Sequence, residues 1–303
     1  MRTAFIKLHI SIILAGFTGI FGKLITLNEG VLVWHRMFLA SLLFYFILKM
    51  SKRSLRLPIK DVLNIALVGF VLAMHWLFFY GSIKASNVSI GVICFSLTGF
   101  FTALFEPLFD RRRFSAKEIL YSFIAVVGIL LIFQFDSRYR LGIGLGIISS
   151  AFCSVYTILN KRVSRQYPTS QVLFYTLSGG WFVFSLCMPI YLFLFPSPTL
   201  IPNLTDFVYL IVFVLFCTIL MNILQIQALK QISAFTVNLS YNLEPVYSII
   251  IAMILFKEAN ELNVAFYGGL GLIIASVILQ TVALAKESRR RSLHEIANKT
   301  FKT

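Results

Sequence analysis

Ten apolar segments, each about long enough to cross a bilayer, take up nearly all of this 303-residue chain. A transmembrane helix needs ~20 mostly apolar residues to cover ~30 Å of hydrocarbon. The segments lie near 8–27, 31–49, 61–82, 87–109, 116–135, 141–160, 170–194, 205–227, 234–256 and 263–285. Short connections between them leave no room for a soluble catalytic domain. The expected fold is an all-α integral membrane protein with ten transmembrane helices. Hydrophobic residues at 58% and a mean hydropathy of +0.86 exceed what a soluble core requires.

The net charge of +15 would suggest nucleic acid in a soluble protein. Its distribution gives another reading. With a cytoplasmic N-terminus, the inside connections hold 21 basic residues: Arg2, Lys7, Lys49, Lys52, Arg53, Arg56, Lys60, Arg111, Arg112, Arg113, Lys117, Lys161, Arg162, Arg165, Lys230, Lys286, Arg289, Arg290, Arg291, Lys299 and Lys302. The outside connections hold four, Lys84, Arg138, Arg140 and Lys257. Cytoplasmic loops carry the Lys/Arg excess, so both termini are expected inside an inner membrane. The basic surplus then sets orientation and meets anionic lipid, and no nucleic-acid partner is expected. Arg2 and Lys7 ahead of an apolar run have the outline of a secretory signal. The run continues to Leu27 without a clear small-residue cleavage site and reads as a span. Cys94, Cys153, Cys187 and Cys217 fall within spans without metal-ligand spacing, and read as packing residues. The sequon at Asn203 is treated as chance.

The two halves of the chain share their segmentation. Sliding it by 146 residues brings 84–134 onto 230–280 without a gap, Lys84 on Lys230 and Gln134 on Gln280. A unit with an odd number of spans must be inverted in its second copy, which is the usual plan of secondary transporters. The expected organisation is two inverted five-helix repeats, 1–140 and 141–285, with a basic cytoplasmic tail at 286–303. The alternative is two halves that merely share helix lengths. Gly99 in span four aligns with Pro245 in span nine. Helix breakers at corresponding positions mark a binding site, so the middles of these spans are expected to line a cavity.

Glu244 is singled out first. A carboxyl near the middle of a span costs ~3 kcal/mol or more on insertion scales, and such residues face the interior. It reads as a proton-coupling or substrate-amine site, or as a neutral tie between helices. Asn238, Tyr241 and Asn242 share a helical face, suited to a polar wall or to interhelical hydrogen bonds. In span three, His75 with Phe79 and Trp76 with Tyr80 are paired at i, i+4. The rings suit a small organic molecule, membrane-interface contact being the alternative. His75 is a second coupling candidate, or a packing hydrogen-bonder. Tyr156 and Asn160 share a face near the inner end of span six. Lys23 and Arg36 are expected to snorkel to the headgroups or line an outer vestibule. Lys161 reads as an inside anchor and Glu106 as a partner of Arg111–Arg113. Glycines 16, 19 and 22, then 142, 144 and 146, then 268, 269 and 271, are expected at tight crossings.

Together these residues resemble the EamA type of the drug/metabolite transporter superfamily, along the whole chain. Gly16, Thr18 and Lys23 resemble the family's Trp-Gly-x-Thr…Lys pattern, with Ala15 where the Trp usually stands. Arg36 is similar to the family arginine of span two. Lys84 and Lys230 lie in turns that resemble the family's Ala-Leu-Lys. Glu244-Pro245 resembles its helix-breaking proline, and Lys257-Glu258 its Gly-Glu hinge. Repeat one has Gly99 and Arg111–Arg113 at those places. The resemblance implies an inner-membrane permease for amino acids or other small metabolites, often an exporter.

The expected function is a secondary-active permease moving such metabolites by alternating access, with export as the direction and protons as a candidate coupling ion. The expected substrate-binding residues are His75, Trp76, Phe79, Tyr156, Asn160, Asn238, Tyr241, Asn242 and Glu244. No cofactor or metal is expected. The alternative is a membrane-embedded enzyme acting on lipid or lipid-linked substrate. It would need clustered acid–base or ligand residues, yet the four histidines (9, 35, 75 and 294) are scattered and no HExxH occurs. No GxxxxGK[ST] is present for an ATP-driven pump.

Overall fold

The computed structural model describes residues 2–282, apart from 112, 136–138, 242, 261, 277, 280 and 281. Among the described residues every regular element is helical: α1 (Arg2–Ala15), α2 (Thr18–Leu24), α3 (Glu29–Met50), α4 (Ile59–Ala85), α5 (Val88–Cys94), α6 (Thr98–Asp110), α7 (Ala116–Phe135), α8 (Arg140–Gln166), α9 (Thr169–Leu194), α10 (Leu204–Val214), α11 (Met221–Leu229), α12 (Ala234–Tyr241), α13 (Glu244–Phe256) and α14 (Val264–Ser276). A 3-10 turn, Phe95–Leu97, joins α5 to α6, and a π turn, Leu215–Leu220, joins α10 to α11.

Seven helical stretches are long and apolar enough to cross a membrane: Thr3–Leu24, Glu29–Met50, Ile59–Ala85, Val88–Asp110, Arg140–Gln166, Thr169–Leu194 and Leu204–Leu229. The chain is a multi-pass membrane protein. Shorter apolar helices, Ser122–Ile132, Glu244–Phe256 and Val264–Ser276, lie within the segments expected as spans five, nine and ten. Phe182, Leu186, Ile190 and Phe193 stand exposed along α9. That helical spacing makes one apolar stripe, as a lipid-facing helix requires.

Local signals fix the ends of these helices. The side chains of Asn28, Asn87 and Asn203 accept from the backbone N–H three residues on and start α3, α5 and α10. The sequon asparagine is therefore a helix cap. Pro58 and Pro168 precede α4 and α9. Arg111 and Lys257 adopt left-handed backbone and stop α6 and α13.

The helices run back and forth between two ends. One, the N-terminal end, holds the connections at 51–58, 113–115, 167–168 and 230–233. The far end holds those at 25–28, 86–87, 195–203 and 257–260. Packing joins the halves throughout. The helix α4 lies along α8 and α9, α1 along α11, α6 along α8, α5 against α13 and α12 against α6. The tightest crossing is α4 on α9. A Cβ on Gly69 would fall 1.9 Å from Thr176 O, and one on Gly180 2.5 Å from the Gly69 carbonyl carbon. A second glycine pair, Gly128 and Gly269, brings α7 onto α14, each Cβ falling within 2.7 Å of the other's carbonyl oxygen. Two expected crossings are corrected: Gly144 and Gly271 have nothing within 4 Å of a built Cβ.

Candidate functional site

Four chain irregularities meet in the middle of the bundle: Gly16-Phe17 between α1 and α2, the 3-10 turn, the π turn, and the α12–α13 junction. Each leaves backbone groups without an i→i−4 partner, costly in a membrane unless side chains satisfy them. Here they do. The Cys94 carbonyl accepts from Ser150 Oγ at 2.8 Å and the Gly16 carbonyl from Ser248 Oγ at 2.6 Å. In the π turn, the Met221 N–H bonds Phe216 O, which frees Cys217 O to accept from Arg36 Nη2 at 2.9 Å. The breaks in spans four and nine fall just ahead of Gly99 and Glu244-Pro245.

These irregularities surround a cavity of about 50 Å³. Its wall is Ala15, Thr18 and Arg36; Leu72, His75, Trp76, Phe79 and Tyr80 of α4; Phe95 of the 3-10 turn; Cys153 and Tyr156 of α8; Met221, Asn222 and Gln225 of α11; and Tyr241 and Glu244.

Arg36 corrects the expectation of a cation reaching the headgroups. It is fully buried. Its Nε donates to Thr218 Oγ1 at 2.8 Å and its Nη1 to the Tyr80 hydroxyl. Trp76 covers one face of the guanidinium at 3.6 Å, and the Phe213 ring lies 4.2 Å away. Cation–π contact of this kind is worth ~2 kcal/mol or more when desolvated, which offsets part of the cost of burying the charge. From Thr218 a chain of amides and a phenol continues. Asn222 Nδ2 donates to Thr218 O at 2.7 Å, Tyr156 OH to Asn222 Oδ1 at 3.2 Å, and Asn160 Nδ2 to Tyr156 OH at 3.0 Å.

Of the residues expected at the site, His75, Trp76, Phe79, Tyr156, Tyr241 and Glu244 line this cavity. Asn160 stands behind Tyr156. Asn238 points elsewhere, donating to Thr102 Oγ1 at 2.8 Å. Asn242 lies outside the described residues. The His75 Nδ1 lies 3.0 Å from Ser149 O and 2.9 Å from Ser149 Oγ. Tyr241 OH donates to Ser11 Oγ at 3.1 Å. The contact of Thr18 Oγ1 with Glu244 is long, 3.4 Å, and the same hydroxyl lies 2.6 Å from Ala15 O. A hydroxyl has one proton to give, and the shorter bond takes it. Sequence reasoning left Arg36, Tyr80, Thr18, Phe95 and Gln225 out of the site. Among the described residues, no group of three His, Cys, Asp or Glu is placed to hold a metal.

Two ion pairs lie toward opposite ends of the bundle, outside the cavity wall. At the far end Lys23 Nζ meets Glu258 Oε1 at 2.8 Å, where Glu258 is fully buried and Lys23 a third exposed. Glu258 also accepts from Val88 N, Ser89 N and Ser89 Oγ at 2.7–3.0 Å. Burial alone would raise this carboxyl. The hydrogen bonds from Lys23 and Ser89 and from the two amides outweigh it and hold the group below its ordinary value. At the N-terminal end Lys161 Nζ meets Glu106 Oε1 at 2.9 Å, and both are buried. This corrects two expectations: Lys161 is no surface anchor, and Glu106 reaches across to it instead of serving only Arg111–Arg113.

The family model described as "EamA-like transporter family" matches twice, over residues 3–134 and 140–282. A Bacillus subtilis (strain 168) protein named "Uncharacterized transporter YxxF" is 24% identical over 185 residues, 58% of this chain and 60% of the relative. The chain thus spans about three-fifths of that relative. A Clostridium kluyveri protein named "Uncharacterized transporter" is 21% identical over 259 residues, 81% of this chain and 79% of its own length. A solved crystal structure, 15% identical, superposes with a TM-score of 0.69 over 94% of this chain and 99% of the other, a likeness of fold. The chain belongs to the EamA-like transporter family.

Proposed function

We propose that this protein is a secondary-active permease that moves small organic metabolites, amino acids or related compounds, outward across an inner membrane by alternating access. Ten spans in two inverted five-helix repeats, 1–140 and 141–285, carry the site between them, and both termini are cytoplasmic. The observation that carries this reading is the central cavity, with an ion pair joining the two halves toward each end of the bundle. Each lysine ends the first span of one half. Each carboxylate lies at the end of the fourth span of the other, Glu258 just beyond α13 and Glu106 in the last turns of α6. Opening one pair while the other holds exposes the cavity to one side at a time, which is what inverted repeats provide.

His75, Trp76 and Phe79 offer apolar ring surface, and Glu244 a carboxyl among polar neighbours. Glu244 is the proton carrier. A carboxyl holding its own proton can donate to Thr18 Oγ1, the contact that the Thr18 proton does not serve. Lipid surrounds the bundle, and the basic connections favour anionic headgroups.

The test is uptake of a pool of labelled amino acids into proteoliposomes, with and without a pH gradient. Saturable, protein-dependent flux supports the permease, and accumulation driven by the gradient supports proton coupling. Flux absent across amino acids and other small metabolites would refute it.

A further inference from the structure

We infer that Arg36 is the receptor for a carboxylate on the transported molecule, so that the site selects organic acids and zwitterions over amide analogues of the same shape that lack the carboxylate. The inference rests on the transport reading above. Where this protein buries a lysine it supplies a carboxylate: Lys161 has Glu106 at 2.9 Å. Arg36 is more deeply buried, yet its three protein acceptors, Thr218 Oγ1, the Tyr80 hydroxyl and Cys217 O, are all neutral. No carboxylate lies within 4.0 Å of it in the ion pairs among the described residues.

The guanidinium has five N–H donors, and three bonds leave two. Trp76 and Phe213 occupy the space about its faces, so approach is confined to its plane. A planar carboxylate accepting in that plane is the partner this geometry fits best. The π turn contributes by freeing Cys217 O, which holds Nη2 in register at the cavity wall. Elsewhere on the wall, the buried Gln225 Oε1 has no hydrogen-bond partner. It offers an acceptor to a donor group on the same molecule. A purely structural Arg36, tying α3 to the π turn, would show no dependence on the charge of what is transported.

The experiment compares labelled leucine with leucinamide, and phenylalanine with phenylalaninamide, in counterflow into proteoliposomes of the full-length protein. Wild type is expected to favour each acid over its amide by about tenfold or more, the scale of a lost charge-assisted bond pair. In Arg36→Gln the ratio is expected to fall to within about twofold. Arg36→Lys, which keeps the charge and loses the fork, is expected between the two. If Arg36→Gln does not fold, the wild-type ratio alone decides. Equal rates for acids and amides in wild type, or an acid preference that survives in a folded Arg36→Gln, would overturn the inference and leave the transport reading standing. No flux of any of the four compounds would overturn it together with amino-acid transport.

Discussion

Glu106→Gln should open the cavity toward the N-terminal end of the bundle. The substitution leaves Lys161 buried, about a tenth exposed, opposite a neutral amide. At 2.9 Å and an effective dielectric of about 20, the full Coulomb attraction is about 6 kcal/mol. Removing one partner of a buried pair typically costs ~3–5 kcal/mol. The amide oxygen keeps a hydrogen bond to Lys161, so about 2–3 kcal/mol is the expected loss. The loss falls only on states with this gate closed, because an open gate lets water reach the lysine. The open fraction should therefore rise roughly 30–150-fold, at 1.36 kcal/mol per tenfold. Cys153 on the cavity wall is a native reporter. In a background of Cys94→Ala, Cys187→Ser and Cys217→Ala, its alkylation by an impermeant maleimide in oriented vesicles reads the open fraction. The rate from the N-terminal side should rise by that factor, and the rate from the far side should fall. An unchanged rate in a folded, transporting variant would refute the gate.

Three further outcomes are expected. Glu244→Gln should abolish pH-gradient-driven accumulation in proteoliposomes while leaving exchange; accumulation that survives would remove Glu244 as proton carrier. Gly180→Ala places a Cβ 2.5–2.6 Å from the Gly69 backbone and should cost ~1–3 kcal/mol, lowering the melting midpoint in detergent by several degrees, while Gly144→Ala, with open space, should not. The far gate should resist acid. Because Glu258 sits below its ordinary value, its contribution is fully present above the unfolded carboxylate value of about 4.5 and is lost only as pH falls through the lower, folded value. Cys153 labelling from the far side, divided at each pH by the rate of a free thiol so that the loss of thiolate cancels, should therefore stay flat from pH 7 to pH 5, and a rise in that ratio centred near pH 6 would contradict this assignment.

The segmentation was legible because hydrophobic run length is a local property, and seven long helices fall where it placed them. The irregular middles of spans four and nine were legible for the same reason: Gly99 and Pro245 are local signals. Nothing comparable marks the π turn. Leu215–Leu220 contains neither glycine nor proline, and its shape follows from Arg36, 181 residues away in sequence, needing Cys217 O. Arg36 itself was misplaced because a long cation in a span reaches the headgroups by default. The aromatic faces that let it stay inside come from α4 and α10. Lys161 was read as an inside anchor and Glu106 as a partner of nearby arginines, because their own pairing spans 55 residues. Spacing put Asn238 and Tyr241 on one stripe without saying which neighbour each would meet. Thr102 takes the first and the cavity the second.

The most direct test of the central claim, a cavity opened alternately to the two sides, is trans-stimulation. Proteoliposomes are preloaded with unlabelled substrate, and initial uptake of the same labelled compound is compared with empty vesicles. A carrier that reorients faster when loaded should show severalfold higher, saturable uptake into the preloaded vesicles. Uptake that rises linearly with concentration and ignores the preload would mean that this cavity is not an alternately opened site.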